Sequence, residues 1–368
     1  MKILMINVVC GIGSTGRICT DQAEELISQG HEVRIAYGRG EVPEKYRPVA
    51  HRIGNDADVY LHVLKARLFD AAGFGSRRVT ERFIEWIRAY DPDEIRLHNL
   101  HGYYLNIEVL FDYLRTCGKP VTWTLHDCWA FTGHCAHYMA TSCARWKTGC
   151  KNPCPEKKNY PGCIGSCRCE RNYIRKKELF TGIGKLSLIV PSAWLAGEVR
   201  QSFLNAYPEE IRYNDIDHTV FKPTDSTFRE GHGLSGEKIL LGVAGKWTKR
   251  KGFNDYLKLA GMLDDSYRIV LVGVTKKQKR TLPERMIGIE RTNSKQELAE
   301  IYTSADVFVN LTYEDNYPTV NLEAEACGTP VITYDTGGCR ETIRRPDSAV
   351  VERGDLEQVV MYCKRISA

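Results

Sequence analysis

The chain contains no long hydrophobic run. No segment approaches the ~18 to 20 consecutive apolar residues that a membrane helix requires, and no cleavage site of small residues follows the apolar start Ile3 to Cys10. A cytoplasmic protein is the expectation. Charge of one sign is also scarce, with 51 Lys and Arg against 46 Asp and Glu and a formal net charge of +5. So mild and dispersed an excess argues against nucleic acid, and it suits a protein that handles phosphorylated ligands or touches an anionic membrane surface. Internal repeats and low-complexity tracts are absent too, which excludes solenoids and disordered arrays.

What the chain does have in quantity is cysteine. Eight of its 14 cysteines lie between Cys128 and Cys169, so they mark one local feature and not a disulfide framework for the whole protein. At 368 residues the chain is long for a single core, and two domains of roughly 150 to 200 residues are expected.

Short branched apolar runs alternate with helical periodicity. Strands are predicted at 2–9, 31–37, 94–98, 120–125 and 186–191, with helices at 82–90 and 107–117. A polar segment with Pro223 and several glycines, 212–237, reads as a linker. Alternation then restarts, with strands at 238–245, 267–273, 287–290, 306–310 and 330–334 and helices at 252–262, 295–303 and 319–327. This pattern predicts an α/β chain with two parallel sheets: residues 1–210, carrying a cysteine-rich insertion at about 128–169, and residues 211–368. In such sheets ligands sit beyond the carboxyl ends of the strands, so residues directly after strands are the functional candidates.

Gly11-Ile-Gly13-Ser14-Thr-Gly16 follows the first strand and opens a helix, a setting that lets a phosphate approach backbone amides. Close packing alone would explain the same glycines. A dinucleotide site would need an acidic residue after the second strand, where this chain has Gly38-Arg39, so a nicotinamide enzyme is disfavoured. His98-Asn99-Leu-His101 and His126-Asp127 also follow strands. In the second half, Glu314, Asp315 and Asn316 lie in the loop after Asn310, and Pro318 precedes a helix at Thr319 whose amides suit an anion. Glu323 falls in the first turns, where a carboxylate can accept from both hydroxyls of a ribose, whereas Glu325 reads as a dipole complement. Upstream, Gly245 and Lys246 follow a strand and Lys251 stands five residues on, a pair suited to clamping a diphosphate; a solvated charge run is the plainer alternative.

Together with Asn214-Asp-Ile-Asp217, Phe221-x-Pro223 and Gly337-Gly338-x-x-Glu341, these motifs give a chain that resembles glycosyltransferase family 4 from Lys2 to about Ile343. These are retaining nucleotide-sugar glycosyltransferases of GT-B fold, and the likeness is to their bacterial capsule and exopolysaccharide members. The resemblance implies two Rossmann-like doubly wound domains facing a cleft. It implies transfer of a sugar from a nucleotide diphosphate sugar to a glycan or polyprenyl-diphosphate-linked acceptor, with no catalytic metal. The family's paired acids fall on Asp315, where Glu is usual, and Glu323; Glu314 is a neighbour able to substitute. Lys246 takes a usual arginine position and Lys251 matches directly, both meeting the diphosphate, while His126 matches a histidine that hydrogen-bonds the donor sugar. Gly13, Gly245, Arg291, Asn316, Pro318 and Thr319 complete the donor side, and Gly11, Ser14, His98, Asn99, His101 and Asp127 the acceptor or sugar side. A GT-B nucleotide-sugar epimerase and a non-enzymatic zinc-containing binding module are the alternative classes.

Cys135, Cys143, Cys150 and Cys154 are spaced more loosely than paired C-x-x-C motifs, so a structural zinc, free thiols and disulfides all stay open. His134, His137, Cys163, Cys167 and Cys169 are substitute ligands. Few apolar residues beyond Tyr138, Met139, Ala140 and Trp146 occur between Thr132 and Pro161, so a metal or cross-link is expected to order the segment. The basic and apolar residues from Arg168 to Lys185 read either as an ordinary solvated helix or as a face for peripheral association with the inner membrane surface.

Overall fold

A computed structural model describes residues 1–366, in two compact units, Met1–Arg212 and Tyr213–Ala368. The first unit contains β1 (Lys2–Asn7), α1 (Gly13–Ser28), β2 (Glu32–Tyr37), β3 (Ala50–Arg52), α2 (Asp56–Phe69), α3 (Arg77–Tyr90), β4 (Glu94–Leu97) and α4 (Ile107–Thr116). It continues with β5 (Val121–Thr124), α5 (Cys169–Phe180), β6 (Leu186–Val190), α6 (Ala193–Arg200) and β7 (Glu209–Ile211). The second holds α7 (Phe228–Gly231), β8 (Lys238–Val243), α8 (Phe253–Met262), β9 (Tyr267–Val272), α9 (Lys276–Lys279) and β10 (Met286–Ile289). Then come α10 (Lys295–Ser304), β11 (Val307–Asn310), α11 (Thr319–Ala326), β12 (Val331–Tyr334), β13 (Ala349–Val351) and α12 (Leu356–Ile366).

Both sheets are parallel throughout, in the orders β3-β2-β1-β4-β5-β6-β7 and β10-β9-β8-β11-β12-β13. A parallel strand covered by helices on both faces must be apolar along its length, which is why Ile3 to Ile6 of β1 and Ile239 to Leu241 of β8 are all buried. Strand order reverses between β1 and β4 in the first unit and between β8 and β11 in the second. These are the switch points at which a doubly wound sheet opens a crevice beyond its strand ends. Two glycines let the second unit close up there. A Cβ on Gly252 (φ +75°) would stand 2.1 Å from the Leu311 carbonyl oxygen, and one on Gly273 (φ +94°) 1.7 Å from that of Ala244.

The cysteine-rich insertion departs from expectation. Among the described residues, no three His, Cys, Asp or Glu side chains form a group that could hold a metal ion. Within the expected zinc set of Cys135, Cys143, Cys150 and Cys154, the Cys135 and Cys154 thiols are neighbours. Its thiols are engaged differently: the Cys150 sulfur accepts from the Gly133 amide (3.2 Å), the Cys154 thiol neighbours both Cys135 and Cys169, and Cys169 donates to the Lys151 carbonyl (3.3 Å).

Partners elsewhere in the chain hold the segment in place. Phe131 and Tyr138 pack on Trp146, all three buried. His134 Nδ1 lies 2.5 Å from Asp70 Oδ1 at the left-handed C-cap of α2, and buried Glu156 accepts from Thr141 (2.5 Å) and from Asn159. The Lys176 ammonium on α5 donates to the Trp129 and Thr132 carbonyls (2.7 and 3.0 Å) and sits 3.4 Å from the Trp129 ring centroid.

The same contacts overturn the expected membrane face on α5. Tyr173, Lys176 and Phe180 are buried and Arg175 is paired with Glu108, leaving Ile174 as the exposed large apolar residue of that helix. Its amphipathic periodicity serves the protein core.

Candidate active site

In the first unit, β1 ends in Asn7, whose amide group donates to the carbonyls of Val9 (2.8 Å) and Thr15 (3.1 Å) and whose oxygen accepts from the Asn99 amide (3.2 Å). One buried side chain thereby pins the Gly11–Gly16 turn to the segment after β4. The glycines are also packing glycines: a Cβ on Gly16 would meet Val9 at 2.9 Å and one on Gly11 would meet Tyr46 at 2.8 Å, whereas Gly13 opens on nothing and Ser14 is exposed.

The carboxyl ends of β4 and β5 bring four of the predicted residues together. His98 Nδ1 and His126 Nε2 are 3.1 Å apart with their rings stacked. Burial pushes His98 well below the usual histidine range, and His126 down to about 4 despite the charge of Asp127. His98 Nε2 is buried without a hydrogen-bond partner among the described residues. Beside this pair, His101 donates through Nε2 to Asp127 (2.7 Å) and accepts at Nδ1 from the Tyr160 hydroxyl (3.0 Å). Burial would raise the Asp127 carboxyl, but His101, His137 and the Trp129 amide outweigh it and hold the acid well below its ordinary value. The result is a chain of hydrogen bonds from a fixed carboxylate to a phenol at the strand ends, able to orient a hydroxyl or relay a proton.

In the second unit, Tyr313 N–H donates to the Arg250 carbonyl (2.8 Å), so the loops after β8 and β11 run side by side. This brings Lys251 Nζ to 2.6 Å from Asp315 Oδ2, with both side chains partly exposed. Glu314 points inward, 2% exposed beside Arg250 (3.6 Å), so it does not substitute for Asp315 at the open face. Lys246 and Gly245 are exposed, and a Cβ at Gly245 would meet nothing within 4 Å.

Pro318 caps α11 without any side-chain hydrogen bond, which suits the helix start to an anion. Asn316 and Pro318 are buried, Thr319 partly so, and Asn321 accepts from Asn310 (2.8 Å), tying α11 to the end of β11. Glu323 accepts from the buried Tyr302 hydroxyl (3.0 Å), which fixes one carboxylate oxygen. Arg291 is exposed beyond β10.

Sequence reasoning missed Asn7, Tyr160 and Tyr302. Asn7 carried a signal, a polar residue closing an apolar strand; Tyr160 and Tyr302 carried none, because their partners are distant in the chain.

Comparison with known proteins agrees with the fold. Residues 15–149 match the model for Glycosyltransferase Family 4, and residues 224–366 that for Glycosyl transferases group 1. A putative colanic acid biosynthesis glycosyl transferase, WcaC of Escherichia coli K12, is 26% identical over 99% of this chain and 90% of its own length. Among solved structures, sucrose-phosphate synthase from Thermosynechococcus elongatus aligns with a TM-score of 0.71 at 17% identity, covering 100% of this chain and 89% of that one. Anabaena Alr3699/HepE, solved in complex with UDP-glucose, aligns with a TM-score of 0.65 at 13% identity over 99% and 89% of the two chains.

Proposed function

Because this chain belongs to glycosyltransferase family 4 and is a GT-B glycosyltransferase of the capsule and exopolysaccharide type, we propose that it transfers a sugar, with retention, from a nucleotide diphosphate sugar to a glycan or polyprenyl-diphosphate-linked acceptor. The observation that carries this reading is the Lys251–Asp315 pair at 2.6 Å, set beside the uncapped start of α11 at the second unit's switch point. Glu323, held by Tyr302, grips the ribose hydroxyls. Lys246, Lys251 and the first amides of α11 receive the diphosphate, so the negative charge that develops as the glycosidic bond breaks meets fixed positive charge.

Asp315 orients the donor sugar in the second unit, and in the first unit burial keeps His126 neutral, able to hydrogen-bond a sugar without adding a cation. The acceptor hydroxyl attacks on the face the diphosphate leaves: its oxygen bonds to the anomeric carbon, the bond from that carbon to the phosphate oxygen breaks, and the acceptor proton passes to the departing phosphate. The chain from Asp127 through His101 to Tyr160 aligns the acceptor. Lysines and helix amides supply the charge a divalent cation would otherwise supply.

Thermal shift against a panel of nucleoside diphosphates tests the donor half. A ligand at 100 times its dissociation constant stabilises by roughly 2.7 kcal/mol, and one base should stand out. A melting curve unmoved by every nucleotide would refute the reading and favour a binding module. Conversion of donor to an isomer, without release of nucleoside diphosphate, would make the protein an epimerase.

A further inference from the structure

Helix α2 is apolar on both sides. Its inner side, His62, Ala66, Val59 and Val63, is packed against Tyr103. On its outer side Tyr60, Leu61, Leu64 and Leu68 are 74, 60, 55 and 38% exposed. At about 100° per residue these four, with Ala57, fall within an arc of roughly 100°. So large an exposed aliphatic stripe on one helix is unusual for a surface that faces only water.

Its surroundings say what covers it. Lys65 and Arg67, both exposed, lie on either flank of the arc, and the Arg168 guanidinium stands 5.4 Å from the Phe69 ring centroid. The amides of Ile164 and Gly165 donate to the Arg67 carbonyl (2.9 and 3.0 Å), which sets Ile164, 74% exposed, against the end of the helix. The only carboxylates on α2 are Asp56 and Asp58 in its first turn, one paired with Arg52 and the other closing the capping box with Asn55. Apolar residues between flanking cations form the pattern of a helix lying in the surface of an anionic bilayer.

The same helix leads directly to the acceptor side. Tyr103, beneath α2, packs against Tyr160 (6.1 Å between ring centroids), and Tyr160 is the residue that donates to His101. We propose that the outer face of α2, with Phe69, Ile164 and Arg168, docks this protein on an anionic lipid surface and so presents the Tyr160–His101–Asp127 chain to acceptors anchored there. The inference deepens the proposed function, since it assigns the route by which a lipid-linked acceptor arrives.

Flotation of the full chain with vesicles of phosphatidylcholine, with or without a minority of phosphatidylglycerol, tests it at low and high salt. The wild type should float with the anionic vesicles and lose binding as salt rises. Leu61→Ser with Leu64→Ser should lower the partition coefficient at least about tenfold, which requires a loss of only about 1.4 kcal/mol across two leucines. Lys65→Gln and Arg67→Gln should each cost about fivefold on anionic vesicles, equivalent to about 1 kcal/mol per cation. Ile174→Ser on α5 should change nothing.

All these variants should keep the wild-type thermal shift with nucleoside diphosphate, so failure of docking and failure of the donor assignment are read separately. A wild type that stays unbound at low salt, or a double leucine variant that floats like wild type, would overturn the proposal. So would a wild-type dimer that the leucine variant converts to a monomer, because the stripe would then be the seat of a second copy.

Discussion

Replacing Lys176 with methionine isolates the group that fastens the cysteine-rich insertion to α5. Burial brings this ammonium down from 10.5 to about 7. The unfolded amine keeps its proton to about pH 10.4. Between those values the unfolded chain binds the extra proton, so stability rises with pH by about 1.36 kcal/mol per unit. It is complete above the unfolded value and lost as pH falls towards 7. From pH 7.5 to 9 the gain is about 2 kcal/mol, and methionine has none of it.

Buried thiols such as Cys10 and Cys327, pushed up to about 11 by burial, work in the opposite direction, but both proteins share them. They cancel in the difference between wild type and variant. Near pH 7.5 that difference should be small, because methionine orphans two carbonyls at about 1 to 3 kcal/mol each but escapes the cost of burying a charge. By pH 9 the wild type should have gained about 2 kcal/mol on the variant. Urea unfolding under reducing conditions, followed by tryptophan fluorescence, measures it: five of the six tryptophans, Trp86, Trp123, Trp129, Trp146 and Trp194, lie in the first unit. A gap that stays constant from pH 7 to 9 would refute the reasoning and show that two carbonyls and the Trp129 ring keep the ammonium charged.

Glu323→Gln should keep the fold and lose the nucleotide-induced thermal shift, while Tyr302→Phe, which frees the carboxylate without removing it, should weaken the shift only about tenfold. Lys251→Ala should lower kcat as well as raise KM; a change in KM alone would confine Lys251 to ground-state binding. Transfer should continue in excess EDTA, and prompt loss restored by magnesium would remove the lysine-based account of the leaving group. Asp127→Asn should reduce kcat/KM for the acceptor by at least about tenfold through misorientation of His101, leaving donor binding as in wild type, with equilibrium titration of nucleotide as the control.

Parts of this molecule are legible in sequence for identifiable reasons. β1 and β8 announce themselves because a doubly covered parallel strand must be continuously apolar, and Lys251 and Asp315 stand out because residues in the loops after such strands border the crevice at the strand ends. Helix α2 is silent: with His62 and Ala66 inside and Leu61 and Leu64 outside, it offers no polar face from which to read a period. The insertion misleads for another reason. Its order comes from partners far along the chain, with His134 and Asp70 separated by 64 positions and Tyr160 and His101 by 59. Counting apolar residues within the segment itself therefore misses the contacts that hold it.

The close approaches at Gly252 and Gly273 bear on any attempt to redirect this protein to another donor. A mutational library spread evenly over the loops after β8 and β9 would spend much of its diversity on chains that cannot fold, since any side chain at those positions collides with a backbone oxygen at about 2 Å or less. Gly245 borders the same loop with open space around it, and Lys246 beside it is exposed. Variation concentrated there would sample new chemistry against the phosphates while the sheet edge that supports it stays intact.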